Sequence, residues 1–163
     1  MLIGVVSDTH NNLKNIERII DLFNNEELSL VIHTGDISNA KSLGSFSRLN
    51  CELIGVYGNN DRNEIGIKEV VKEKNFHFQE PPNLISKNNR NIAIFHEPDF
   101  INEFLTTHQD IDLVLHGHTH RYRYEKKGGV LFFNPGECAG MVKGKNSIGI
   151  INLENLNIKR IFF

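Results

Sequence analysis

Five times in 163 residues a short apolar run stops at a carboxylate, a carboxamide or an imidazole, often beside a glycine. Leu2–Val6 leads into Ser7-Asp8-Thr9-His10, Leu30–Ile32 into Thr34-Gly35-Asp36, and Leu53–Tyr57 into Gly58-Asn59-Asn60-Asp61. Ile92–Phe95 runs into His96, and Leu113–His116 into Gly117-His118-Thr119-His120. Apolar runs of this length are those of buried strands. In open α/β sheets, ligands gather outside the carboxyl ends of the strands. The five junctions therefore predict five loops that converge on one place.

Helical patterns separate the first strands. Asn12 caps a helix whose apolar positions Leu13, Ile16, Ile19, Ile20 and Phe23 share one face. Further helices are expected near Ala40–Leu49 and over Glu64–Lys74. This alternation predicts parallel strands joined by right-handed crossovers. Pro81-Pro82 then breaks the pattern, and Leu84–Ser86 and Asn91–Phe95 read as strands around the polar turn Lys87-Asn88-Asn89-Arg90. A helix near Phe100–His108 and a strand at Leu113–His116 follow. The remainder reads as antiparallel strands at Arg121–Glu125, Val130–Phe133, Ser147–Leu153 and Ile158–Phe162. With no linker or repeat in view, the expectation is one domain over residues 1–163, two sheets packed between helices.

Composition removes several function classes. A net charge of −2 argues against a broad basic surface for nucleic acid. No apolar run approaches the roughly 18 residues of a membrane span, and Leu2–Val6 lacks the basic flank and length of a signal peptide. Two cysteines, Cys51 and Cys138, make no disulfide framework, so a cytoplasmic location is the expectation.

Each short motif is weak alone, since an Asp ending a strand is commonly a helix cap. The ordered set is specific. Asp8-x-His10, Gly35-Asp36, Gly58-Asn59-x-Asp61, His96 and Gly117-His118-x-His120 together resemble the calcineurin-like metallophosphoesterases. The short chain and the Asn134-Pro135-Gly136 turn are most similar to their small phosphodiesterase branch, the bacterial and archaeal phosphodiesterases related to the phosphoesterase-like subunit of retromer. The likeness runs from Met1 to about Gly136. It implies an α/β fold, a two-sheet β-sandwich flanked by helices (αββα), and a dinuclear site. Asp8, His10 and His120 would hold one metal, Asn59, His96 and His118 the other, and Asp36 would bridge them. Imidazole with carboxylate suits Mn²⁺, Ni²⁺, Co²⁺, Zn²⁺ or Fe²⁺ better than Ca²⁺, with Mn²⁺ the first expectation. Neutral Asn59 keeps the centre from becoming too anionic for phosphate. The implied reaction is hydrolysis of a small phosphodiester by in-line attack of a metal-bridging hydroxide.

Some positions depart from the family pattern. Many relatives carry His where this chain has Asn60, and that His is thought to protonate the leaving group. Asn60 cannot titrate, but it can donate to a phosphate oxygen, and it is read as catalytic together with Asp36 and Asn59, and as substrate-binding together with Arg62. Arg62 could meet a phosphate or be a solvated arginine at a helix start, and Asp61 could cap that helix. Glu97 and Glu137 stand where relatives have small residues; they either narrow the substrate mouth or point into water. His33 and His116 read as packed histidines able to orient a ligand, and His77 and His108 as surface. Two rival functions remain. A nuclease would be expected to bring a capping domain or a basic patch. A protein-interaction scaffold of the same fold would be expected to lose metal ligands, whereas all seven are present. A homodimer is compatible with the family.

Overall fold

A computed structural model describes residues 1–163. Eleven strands form two mixed sheets. The first has six strands in the order β11-β10-β1-β2-β3-β4. Its members are β1 (Leu2–Val6), β2 (Leu30–His33), β3 (Glu52–Val56), β4 (His77–Gln79), β10 (Ser147–Asn152) and β11 (Asn157–Phe162). The second, β5-β6-β7-β9-β8, is built from β5 (Asn83–Lys87), β6 (Arg90–Ile94), β7 (Leu113–Leu115), β8 (Arg123–Lys127) and β9 (Val130–Asn134). Helices α1 (Leu13–Asn24), α2 (Ala40–Ser45) and α3 (Ile67–Glu73) cover the first sheet, and α4 (Ile101–Thr107) the second. No helix is long and apolar enough to cross a membrane.

The central strands are apolar along their whole length because both faces are covered. In β1, Ile3 and Val5 point between the sheets against Ile92, Ile94, Leu113, Leu115 and Phe133. Val6 points the other way, into the layer of Ile16, Ile19 and Phe23 from α1. The parallel pairs β1–β2, β2–β3 and β6–β7 bring the carboxyl ends of these strands to one edge of the sandwich. Asn12 caps α1 as expected, accepting from Asn15 N at 3.1 Å.

Four details differ from the sequence expectation. β9 pairs with β7 in parallel, so the C-terminal third is not wholly antiparallel. β4 is an edge strand of only three residues, too short to carry a pattern. α3 starts at Ile67 because Gly66, at φ 88°, turns the chain just before it. β8 begins at Arg123, leaving Arg121 and Tyr122 to the loop that presents His120.

The sheets approach closely at Gly149, where a Cβ would collide with the Phe133 ring across the interface. Gly149→Ala is expected to cost about 1–3 kcal/mol by overpacking. Phe133→Leu should recover part of that loss, a coupling that urea melts of the single and double variants would measure.

Candidate metal centre

All seven predicted ligands meet at the shared strand edge. Asp8 Oδ1 lies 3.4 Å from His120 Nε2, and Asp8, His10 and His120 offer ligand atoms within 4.8 Å of one another. A second group forms around Asn59, whose Oδ1 is 3.0 Å from His96 Nε2 and 3.1 Å from His118 Nδ1. Asp36 stands between the two groups. Its Oδ1 is 3.4 Å from His96 Nε2 and its Oδ2 is 4.0 Å from His10 Nε2.

These residues fit divalent ions. The carboxylate–imidazole separations of 3.4–4.0 Å are too long for charge-assisted hydrogen bonds. Two ligands about 2.1 Å from one ion, at tetrahedral or octahedral angles, stand about 3.0–3.4 Å apart. His10 Nε2 is buried with no hydrogen-bond partner, and a buried ring nitrogen left so is costly unless something else meets it. The outer nitrogens of His10 and His96 are fixed from behind. His10 Nδ1 contacts Ser38 Oγ at 2.9 Å, and His96 Nδ1 donates to Thr34 O at 2.8 Å, the support that metal-ligating histidines ordinarily have.

The backbone that presents these groups is unusual. Asp8, His10, Asp36, His118 and His120 have φ of 50°, 44°, 60°, 65° and 56°. Bonds between the loops hold them there: Asp8 N to Gly35 O, His10 N to Asp36 O, and His118 N to the Asp8 carboxylate. Gly117 and Gly58 permit this close approach. A Cβ on Gly117 would strike Ser7 Oγ, and one on Gly58 would strike Asp36.

The electrostatics follow from burial and pairing. Burial opposes ionisation of Asp36, yet the adjacent His96 ring and hydrogen bonds from Asn60 hold its carboxyl well below the usual range. Burial likewise opposes charging of His96, but Asp36 outweighs it and raises the pKa. The Asp8 carboxylate beside His120 raises the pKa of that ring. His33 and His116 take no part in the cluster. Burial lowers His33 to about 3 and His116 to about 4. His33 accepts from Gly35 N at Nδ1, leaving Nε2 to donate to Thr9 Oγ1, and so braces two ligand loops as a neutral ring.

Several auxiliary residues are placed differently from the expectation. Asp61 does not cap α3. Its carboxylate accepts from Asp36 N, Ile37 N, Ser38 N and Gly58 N at 2.7–2.8 Å, tying the loops after β2 and β3 together. Asn60 donates to Asp36 Oδ2 at 2.8 Å through its side chain, and to Oδ1 at 3.0 Å through its backbone. Arg62 bonds Glu80 and Glu97, so the charge of Glu97 at the mouth is paired. Glu137 neither narrows the mouth nor meets water. It is buried and accepts from Gly140 N, Met141 N and Val142 N. Asn134, whose role was not foreseen, donates to Gly117 O and Thr119 Oγ1 and steadies the loop of His118 and His120. His77 is exposed beside Glu52, His108 stacks on Phe104, and Cys138 is buried with its thiol pushed up by burial.

Residues 1–156 match the calcineurin-like phosphoesterase superfamily domain. The chain belongs to that superfamily. As a metallophosphoesterase it is a metal-binding hydrolase, and its relatives carry phosphodiesterase names. Phosphodiesterase MJ0936 of Methanocaldococcus jannaschii is 36% identical, with 99% of this chain and 98% of the relative covered. Phosphodiesterase YfcE of Escherichia coli is 25% identical over 97% of this chain and 91% of its own. A solved archaeal phosphodiesterase superposes with a TM-score of 0.90 at 33% identity, over the full length of both chains. Vps29 of Entamoeba histolytica shares the fold, with a TM-score of 0.71 at 21% identity over 100% and 99% of the two chains.

Asp61 supplies a test of how the centre is held. In Asp61→Asn an amide NH₂ replaces one acceptor oxygen against four converging N–H groups. Unsatisfied buried donors cost about 1–3 kcal/mol each, so a loss of about 2–4 kcal/mol is expected with weaker Mn²⁺ binding. Urea melts and titration calorimetry would measure both. Wild-type values for the variant would show that the loops are held by something else.

Proposed function

We propose that this phosphoesterase hydrolyses small phosphodiesters at a dinuclear centre made by Asp8, His10, Asp36, Asn59, His96, His118 and His120. The observation that carries the reading is the position of Asp36, one oxygen toward His96 and the other toward His10. A carboxylate so shared suits a bridge, with Asp8, His10 and His120 on one side and Asn59, His96 and His118 on the other. Two divalent ions so held would supply a nucleophile at neutral pH and neutralise the phosphoryl oxygens during in-line displacement. The phosphodiesterase names of relatives over nearly the whole chain support the same substrate class. The likeness to Vps29 speaks for the fold, and a full ligand set favours catalysis over a purely scaffolding role.

The chain's own residues define the rest of the step. Asn60 holds Asp36 and can turn an N–H toward a phosphoryl oxygen, but it has no proton to give a departing alkoxide. A positioned acid typically contributes about 10²–10⁴-fold. With none at this position, substrates whose alcohol leaves readily, or strained cyclic diesters, are favoured. Glu97 is paired with Arg62, which it shares with Glu80, and Glu137 is turned inward, so repulsion by these carboxylates is a minor part of the choice of diester over monoester. That choice rests on the missing acid.

Hydrolysis of bis(p-nitrophenyl) phosphate should require added metal, with Mn²⁺, Ni²⁺ or Co²⁺ above Mg²⁺. Equal rates in EDTA and in Mn²⁺ would remove the dinuclear reading. Outer partners of metal ligands cost about 10–100-fold when changed, so Asp36→Asn should lose more than about 100-fold together with bound metal measured by mass spectrometry.

Asn60→His should raise kcat/KM for an alkyl phosphomonoester relative to an aryl diester. If wild type already prefers the monoester and the substitution changes nothing, the proton comes from another group.

A further inference from the structure

Beyond His120 lies a cavity of about 450 Å³ that the chemistry above does not use. His120 forms part of its wall, so an occupant would reach from the cavity to the candidate metal ligands past one imidazole. Three cations line it: Arg121, Lys145 and Arg160. None is in an ion pair, whereas Arg48, Arg62, Arg90 and Arg123 all are. The one carboxylate of the lining, Glu137, spends its oxygens on the backbone of the loop after Cys138.

The cations are not all loose surface side chains. The Arg160 guanidinium lies 3.9 Å from the centre of the Tyr122 ring and 4.3 Å from that of Phe162, and donates to Ser147 Oγ at 3.0 and 2.9 Å. It is thus a fixed, partly desolvated charge with no anion beside it, and burial lowers its pKa. Beside the cations stands apolar surface left open to solvent. Met141 is 65% exposed, Val142 53% and Tyr122 43%. Uncompensated positive charge next to open apolar surface matches a ligand that is itself part anion and part apolar.

Resting on the phosphodiesterase reading above, we propose that this cavity takes the non-reacting side of the substrate, and that this side bears a second negative charge beside an apolar ring, as in a nucleotide carrying a further phosphate. The reacting phosphate belongs at the histidine-rich centre and leaves these three cations unmatched. A second anion on the same molecule would match them, and Met141 and Val142 would cover the ring.

The test uses the wild-type protein with Mn²⁺ and two substrates: thymidine 5′-(p-nitrophenyl phosphate) and the same ester carrying a 3′-phosphate. Both release p-nitrophenolate, so bond and leaving group are constant. The 3′-phosphorylated ester should show kcat/KM higher by about fivefold or more, mainly through KM. The advantage should shrink as salt rises from about 0.05 to 0.5 M. The double variant R121Q/K145Q should bring the ratio of the two kcat/KM values toward one. A wild-type ratio at or below one overturns the inference while leaving the phosphodiesterase reading in place. A ratio untouched in the double variant overturns the assignment to this cavity. If neither ester is hydrolysed with metal added, the phosphodiesterase reading fails, and the inference with it.

Discussion

Asp8, His10, Asp36, His118 and His120 share a backbone conformation that costs a non-glycine residue about 1 kcal/mol or more. In an extended strand, residues two apart stand about 6.8 Å from one another. The positive φ angles turn the chain within a single residue, so that Asp8 and His10, or His118 and His120, aim at one region. A free loop would relax out of this geometry. Here each loop is bonded to its neighbour: the loop after β1 to that after β2, the loop after β2 to Asp61 after β3, and the loop after β7 back to Asp8. With His96, after β6, bonded to Thr34 O, the five strand ends are one hydrogen-bonded unit, and the ligand geometry depends on the sandwich that holds the ends in register.

Beneath the ligands lies a buried polar layer of Ser7, Thr9, His33, Thr34, Asp61, His116 and Asn134. Such a layer is tolerable only if its hydrogen bonds are complete. They largely are, and the exceptions are informative. Among buried side-chain atoms only His10 Nε2 and Ser42 Oγ lack partners. The second is a hydroxyl on α2; the first faces the centre. The layer thus closes on every side except the one where a cation would sit.

Much of this was legible in the sequence, for a physical reason. A strand buried on both faces must be apolar, so Leu2–Val6, Leu30–Ile32 and Leu113–His116 stood out as interruptions in a polar chain, and the ligands follow them directly. What was illegible lay in side chains that act on backbone. Nothing near Asp61 in sequence says that it reaches Asp36, Ile37 and Ser38, because that contact exists only once β2 and β3 lie side by side. Glu137 misled for the same reason. A carboxylate beside a Pro-Gly turn reads as exposed, yet here it collects three N–H groups of the loop that follows it. The parallel β7–β9 pair was missed because β8 intervenes in sequence and then takes the sheet edge.

Charge is distributed unevenly about the centre. On the side of the loop after β6, Arg62 is shared between Glu97 and Glu80, so that side carries no uncompensated positive charge. On the side of His120, Arg121, Lys145 and Arg160 have no counter-ions. On the proposed function, a substrate would be drawn and oriented from that side. Binding energy realised away from the reacting bond can be used to position that bond, and positioning can substitute for several kcal/mol of barrier, about 7–11 in well-aligned intramolecular cases. Asn60, which offers no proton, makes such positioning more valuable than it would be beside a general acid. On the proposed function, the missing acid and the unpaired cations would be two expressions of one specificity: a diester whose alcohol leaves readily and whose other side is held by charge.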